Sequence, residues 1–465
     1  MLYNPGRMAV DSSGYKALSK SIFLTAWCAM VVVLCCCNSA VLEPYGGEEA
    51  AGEPDGGSTE AVTGDEMEPA ETEDEPDAAS GCGQALDLIE RERLDVPSST
   101  GSVPLERCSA HRWHLVAPAR MKLAVTLHAE GSDVLVASLN YPDMPGLQDK
   151  LAQLSAAPGY DGTLEFIPPR SGEFFLQVRS MDPERPSGYA VSVECLENCD
   201  LRCTRYPILL VHGWTGFKNI GPIEYFYNVP DDLERLGYLP LVAVLDPYNS
   251  VEVRSGQLAE QVDRFLEDTH SLKLDIVAHS QGGLDSRRVI STLGYGDRIS
   301  ALVTIATPHR GTPIADIGLG LLPGPAEDAL AFLLNLIGAA GGHESDAMAS
   351  FASLTTSYVE QQFNPANPDD PRVDYISWTG LTCILGDCGD ICDVEIQWAY
   401  LLIKDAAGDN DGMVPVESAV WGDYQGTIPA DHFDEIGQVA GITGPNFDHI
   451  EFYRSVADLL RTRGH

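Results

Sequence analysis

The spacing of apolar and polar positions changes character along the chain. Between Cys82 and about Glu197, short β-like runs recur: Leu123–His128, Val134–Ser138, Gly162–Ile167, Glu173–Val178 and Tyr189–Val193. Turn residues separate them, and strands of this length and spacing predict an all-β sandwich. From Arg205 onward the runs are continuously apolar: Tyr206–Val211, Pro240–Leu245, Leu272–Ala278 and Ala301–Ile305. Such runs suit strands covered on both faces of a parallel sheet. Helical patterns fall between and after them at Pro230–Leu236, Ser255–Glu267 and Gly282–Leu293. Alternation of the two kinds predicts an α/β fold. A further apolar run, Ala399–Ile403, reads as a late strand leading into Asp409–Pro415.

The first residues fit neither pattern. Lys16 and Lys20 precede an apolar run from Ile22 to Leu34, too short for a comfortable membrane span. It ends at Cys35-Cys36-Cys37, followed by Asn38-Ser39-Ala40. Residues 1–40 therefore read as an export signal with two possible outcomes. Either a cysteine, Cys37 first, becomes a lipidated N-terminus and a membrane attachment, or cleavage near Ala40 frees the protein. Residues 41–81 are expected to be a disordered, self-repelling tether, because Glu43 to Ser80 holds no Lys or Arg and little to bury. The organisation expected is signal (1–40), acidic linker (41–81), β-sandwich accessory domain (82–200) and α/β domain (205–465).

Composition narrows the function. With 69 acidic and 29 basic side chains the formal charge is -40, which excludes a nucleic-acid partner, since phosphate contacts need clustered Lys and Arg. Eight cysteines lie beyond the signal: Cys82, Cys108, Cys195, Cys199, Cys203, Cys383, Cys388 and Cys392. An even number in an exported chain predicts disulfides. Zinc is the poorer reading, because no histidine accompanies either close cluster. His111, His114 and His128 of the β region read as surface or core histidines.

The stretch Asp275-Ile-Val-Ala-His-Ser-Gln-Gly-Gly283 carries the chemistry. A buried strand runs into a serine with small residues two positions either side, Ala278 and Gly282, and a helical pattern follows. That is the sequence form of a nucleophile elbow on Ser280. A site built on it needs an oxyanion hole, an acid and a base. The loop Val211-His-Gly-Trp-Thr-Gly216 follows an early strand, so the Trp214 N–H can join that of Gln281 in facing a developing oxyanion. Asp411, in Asp409-Asn-Asp-Gly-Met-Val-Pro415, is the first choice of acid, with Asp409 as competitor. His309, in Ala306–Gly311, comes too soon after the elbow to be the late base; His343 also follows the serine. His432 is the better base, and His449, near the start of a last helix, is the runner-up.

These motifs together resemble the bacterial true lipases, typified by the Pseudomonas and Burkholderia triacylglycerol lipases, over about 205–461. The shared features are Tyr206–Gly213, Ala278–Gly283, Thr304–Gly311, Ile376–Gly380, Asn410–Gly412 and His432–Ile442. The resemblance implies an α/β-hydrolase fold with Ser280, Asp411 and His432 as triad and Trp214 and Gln281 as oxyanion donors. It also implies a structural calcium ion held by Asp434 and the carbonyls of Gln438 and Ile442. A second carboxylate upstream of the acid fits Asp393 best and Asp390 next, although Asp387–Asp393 departs from the family's pattern. The family's cysteine pair has no clear counterpart, which puts dependence on a folding chaperone in doubt. Residues of about 315–342, rich in Leu, Ala and Gly, stand where the family has its lid. The β region weakly resembles the bacterial pre-peptidase C-terminal domain, in Phe166–Val178 and Ser187–Val193.

The expected function is an exported serine carboxylic-ester hydrolase, foremost a triacylglycerol lipase, extracellular or anchored at the cell surface, with a lipid or other ester as substrate. An esterase, phospholipase or polyester hydrolase is the alternative within enzymes. A surface binding lipoprotein with a decayed hydrolase fold is the alternative outside them.

Overall fold

The computed structural model describes residues 82, 86–144, 146, 150–214, 219, 220, 223–329, 331, 332, 344–385, 388–438 and 440–465. The expected signal and tether, and much of the expected lid, lie outside the described residues. No helix among the described residues is long and apolar enough to cross a membrane.

The β-rich region folds as two facing sheets. One has the order β1 (Asp87–Leu94), β2 (Ser109–Ala117), β7 (Gly172–Ser180), β4 (Leu135–Asn140), β5 (Lys150–Ala156). The other joins β8 (Ser187–Glu197), β3 (Lys122–Glu130) and β6 (Asp161–Phe166), with the short strands Ser98–Ser99 and Val103–Leu105 against β8. Alternation puts Leu123, Val125, Leu127 and Ala129 of β3 inward, where they meet Leu115, Leu139, Leu176 and Val178 from the opposite sheet. Strands β1, β2 and β5 have no counterpart in the sequence reading. The sequence of β1, Asp87-Leu-Ile-Glu-Arg-Glu-Arg-Leu94, is too polar to register as a strand without the partner that completes its hydrogen bonding.

The α/β region carries one six-stranded parallel sheet in the order β10 (Pro240–Val242), β9 (Ile208–Val211), β11 (Leu274–His279), β12 (Ile299–Ile305), β13 (Asp374–Gly380), β14 (Asp423–Ile428). Its named helices are α1 (Val229–Leu236), α2 (Val251–Thr269), α3 (Gln281–Ile290), α4 (Pro313–Gly318), α5 (Glu344–Ser353), α6 (Gln397–Ala407) and α7 (His449–Arg463). Separate apolar clusters cover the sheet's two faces: α7 packs over one with Phe452, Val456 and Leu460, and α2 over the other with Leu258 and Val262.

One expected strand is a helix. Ala399–Ile403 lies within α6, where Ala399, Tyr400 and Ile403 are buried and Leu401 is exposed. A five-residue apolar run cannot distinguish the two periods, and here the one-sided burial at i, i+1 and i+4 is helical. The cysteines also divide differently from an all-paired set. Cys82–Cys108, Cys195–Cys199 and Cys383–Cys388 are bonded, while Cys203 and Cys392 are buried free thiols.

The sandwich meets the α/β region at the ends where its strands begin. Ser171 Oγ donates to the Gly237 carbonyl, Arg170 donates to the His270 carbonyl, and the Tyr141 ring stacks on His270 at 4.5 Å. Gly237 and His270 lie just ahead of β10 and β11. At the same edge Glu173, 3% exposed, takes Arg205 at 2.6 Å and His114 at 2.7 Å. Removing this carboxylate leaves a half-buried guanidinium without its partner. Glu173→Ala should lower unfolding stability by about 2 kcal/mol in urea titration; an unchanged midpoint would show that the junction does not depend on it.

Candidate active site

Strand β11 ends in a turn that only a few residue types tolerate. Ser280 has φ 55° and ψ -132°, outside the ordinary regions for a residue with a Cβ. The strain is held by hydrogen bonds on both sides: the Ser280 N–H donates to the Ile305 carbonyl at 3.0 Å, and Thr307 Oγ1 donates to the Ser280 carbonyl at 2.8 Å. Gly282 lets the following helix pass close by, since a Cβ there would stand 2.7 Å from the Val211 carbonyl oxygen. Ala278 is buried between Val211 and Thr304 on the neighbouring strands, and its methyl group fits.

The expected triad converges. Ser280 Oγ donates to His432 Nε2 at 3.0 Å, and His432 Nδ1 donates to Asp411 Oδ2 at 2.8 Å. Asp411 is fixed from its other oxygen, which accepts the Met413 and Val414 amides at 2.8 and 2.6 Å. It follows α6 rather than a strand. Asp409 is an exposed partner of Lys404, away from this line. His449 begins α7 and donates to the Tyr227 carbonyl, and His309 is stacked on Trp421, so neither reaches the serine. His343 lies outside the described residues.

The oxyanion loop is set by groups that sequence reading missed. Buried Arg254 on α2 donates to the carbonyls of His212 and Gly213 at 2.8 and 3.3 Å. The Gly213 carbonyl also accepts from His212 Nδ1 at 2.9 Å, while His212 Nε2 accepts the Leu245 amide. Burial, aided by Arg254, pulls the His212 pKa down to about 3, so this ring stays neutral and keeps that tautomer. In a trans peptide the N–H points opposite to the preceding C=O. Turning the Gly213 carbonyl toward Arg254 therefore turns the Trp214 N–H the other way. Gln281 is the first residue of α3, so its N–H has no acceptor within the helix. The Trp214 ring packs on Tyr248 and Phe351, the latter from α5.

Arg254 is balanced by Asp285, 2.7 Å away and equally buried. Burial lifts the Asp285 pKa to about 6 even with Arg254 opposing it. The pair looked unremarkable in sequence because its partners come from two helices and a loop.

A second acidic cluster flanks the base. Buried Asp390, Asp431 and Asp434 each bring a carboxylate oxygen within 4.8 Å of the others. Among the described residues no group makes a well-formed hydrogen bond to the Asp390 carboxylate, and Gly444 leaves it room, since a Cβ there would lie 2.0 Å from Asp390 Oδ1. Burial, then the charge of Asp393, raises the Asp431 pKa to about 7, and burial, then the charge of Asp431, raises that of Asp434 to about 8. Three carboxylates with so little positive charge beside them suit a hard cation with oxygen ligands. Of the carboxylates expected at a metal, the structure brings Asp434 and Asp390 together with Asp431, while the side chain of Asp393 is not in this group. Asp393 meets the cluster through its backbone, its N–H donating to Asp431 Oδ2. The Gln438 side chain donates to the Tyr225 carbonyl at 3.0 Å, and Ile442 is 76% exposed.

A parallel sheet with a serine elbow at the carboxyl end of a central strand, and a late acid and base beside it, defines an α/β-hydrolase. No protein-family model matches the chain. A triacylglycerol lipase of Vibrio cholerae is 30% identical over 289 residues, 56% of this chain and 89% of its own. Another, of Burkholderia plantarii, is 28% identical over 316 residues, 56% of this chain and 87% of its own. A solved pre-peptidase C-terminal domain of a Bacillus anthracis collagenase is similar over 24% of this chain and 98% of its own, at 13% identity and a TM-score of 0.20. The chain belongs to the bacterial triacylglycerol lipase family.

Arg254→Met should destabilise the fold by about 3–5 kcal/mol, because it strands Asp285 in an apolar interior. Arg254→Met/Asp285→Leu should recover much of that loss in calorimetry; equal destabilisation of single and double variants would contradict a charge-pairing role.

Proposed function

We propose that the protein is an exported serine carboxylic-ester hydrolase acting as a triacylglycerol lipase. The observation that carries this reading is the unbroken line Ser280 Oγ–His432 Nε2, Nδ1–Asp411 Oδ2, set beside the His212–Trp214 loop. His432 takes the Ser280 proton as Oγ attacks the ester carbonyl carbon. The N–H groups of Trp214 and Gln281 receive the negative charge that forms on the carbonyl oxygen, each worth about 3 kcal/mol of barrier. The protonated His432 is steadied by Asp411 and returns its proton to the departing alcohol. His432 then draws a proton from water, which attacks the acyl-enzyme and releases the acid.

Calcium is the cation proposed for the acidic cluster, held by Asp434, Asp390 and Asp431, with the carbonyls of Gln438 and Ile442 completing the shell. Bound there, it would supply fixed positive charge and tie the loop that carries His432 to the segment around Asp390. Its role is structural, since Asp434 stands two residues from the base and no reacting atom needs the metal. The segment of about 315–342 is proposed as the lid. Leu321 and Leu322 are exposed at 57% and 39%, while Ala329 and Phe332 join the apolar cluster that contains Trp214. Such a cover gains by opening where its apolar side chains find lipid. Three disulfides suit an oxidising location outside the cytoplasm.

Ser280→Ala should abolish turnover of triacylglycerol emulsions and of p-nitrophenyl esters, and remove fluorophosphonate labelling, with the thermal transition unchanged. Retained hydrolysis would place the nucleophile elsewhere. For the metal, stability is the direct readout. At a free calcium concentration a hundred times Kd the fold should gain about 2.7 kcal/mol over the EDTA-treated protein. Asp434→Asn should erase most of that difference, and a transition indifferent to calcium would remove the metal from this account.

A further inference from the structure

A line of buried hydrogen bonds runs beneath the serine and joins three parts of the site. The Gly213 N–H donates to the Tyr225 hydroxyl at 3.1 Å. That hydroxyl lies 2.7 Å from His279 Nδ1, and His279 Nε2 lies 2.8 Å from Glu435 Oε2. Tyr225 precedes α1, His279 immediately precedes the nucleophile, and Glu435 sits in the short helical turn Asp434–Ile436 after His432. All three side chains are at most 5% exposed. Two of them also lie beside the base: the His279 ring is 4.5 Å from that of His432, and Glu435 Oε2 is 3.8 Å from His432 Nδ1.

What the line reaches is the peptide that governs the oxyanion loop. A Cβ on Gly213 would lie 2.5 Å from Ser280 Cβ, 3.0 Å from the His279 carbonyl oxygen and 3.0 Å from the Tyr225 hydroxyl. The His212–Gly213 step is thus pressed between the serine and Tyr225, with no space for an alternative placement. Arg254 holds this step through its carbonyls, and Tyr225 holds it through its amide. Burial keeps His279 neutral, so its ring donates at one nitrogen and accepts at the other. A neutral imidazole in that position connects Tyr225 to Glu435 and lets each hydrogen bond polarise the next.

We infer that Tyr225, His279 and Glu435 act as positioning residues that lock the Gly213 amide, and through it the Trp214 N–H, at the height at which an oxyanion forms. This deepens the esterase reading and rests on it. The coupling has a further consequence. Glu435 follows Asp434 directly, so the line links the base loop and acidic cluster to the oxyanion loop across the nucleophile itself. Donors at an oxyanion act over a few tenths of an ångström. A small release of the Gly213 peptide therefore weakens transition-state binding and leaves the ground-state ester almost unaffected.

The experiment is Tyr225→Phe in the full chain, which removes one oxygen and keeps the ring. Turnover of a soluble p-nitrophenyl ester should show kcat reduced about tenfold, roughly a tenth of what losing a whole oxyanion donor costs, with KM within about twofold. The inhibition constant of an alkylboronic acid, whose adduct on serine is tetrahedral and anionic, should rise by the same factor as kcat falls. Near-ultraviolet circular dichroism establishes that the variant is folded. Should it not fold, His279→Ala, which removes both ring nitrogens, is read by the same two constants together with the pH profile of kcat/KM; a shifted profile would place the effect on the neighbouring His432 and overturn the inference. A packing role alone would lower the melting temperature and leave both constants unchanged, and that outcome overturns the inference. Wild-type protein that hydrolyses no ester and takes up no fluorophosphonate would instead sink the esterase reading, and the inference with it.

Discussion

The site depends on two backbone segments passing at the limit of contact. The turn carrying Ser280 and the His212–Gly213 step approach so closely that one added Cβ on Gly213 would fall 2.5 Å from the serine's own Cβ. That approach sets the distance between nucleophile and oxyanion donors, and it demands a strained φ at Ser280 and glycine at 213 and 282. Strain of this kind persists only where the surroundings over-determine it. Here they do so from the sheet side through Ile305 and Thr307, from α2 through Arg254, and from below through Tyr225.

Buried charge is the second recurrent feature, handled in two ways. Arg254 and Asp285 neutralise one another, and Arg254 uses its remaining donors on loop carbonyls. Asp390, Asp431 and Asp434 have no such partner among the described residues, so burial raises the pKa of each, and nearby carboxylates add to the rise at Asp431 and Asp434. The two solutions flank the triad, one tying the oxyanion loop and the other the base loop. Removal of charge at either place acts on the geometry of catalysis without touching a reacting atom.

The β-sandwich meets the α/β region at the starting ends of the sheet's strands and at the end of α1, where Arg120 donates to the Glu234 carbonyl. It contacts the segments that lead into β10 and β11, while the chemistry sits where β9 and β11 end. A parallel sheet separates these two edges by the length of its strands, so the sandwich braces the strands from their starting ends and leaves the opposite edge to the substrate. The Glu173–Arg205–His114 group and the Tyr141–His270 stack make this a specific junction rather than a loose linker.

Much of this was legible in the chain. Continuous apolar runs marked β9, β11 and β12, because strands buried on both faces need no polar alternation. Small residues around Ser280 marked the elbow, since the turn is sterically impossible with larger ones, and the order of Asp411 and His432 after it followed from the resemblance. Other features depended on long-range contact. Ala399–Ile403 became helix because only one side of it found a core, which a five-residue run does not reveal. That Asp390 lies with Asp431 and Asp434 while Asp393 meets them only through its backbone is likewise a matter of how distant segments meet. Arg254, Asp285, Tyr225, His279 and Glu435 carry no spacing signal, for they meet from separate elements. The sequence by itself determined which residues could do chemistry, since reactivity belongs to side-chain type and local backbone. Only the tertiary structure decided how they are aimed, because aim is set by hydrogen bonds between segments far apart in the chain.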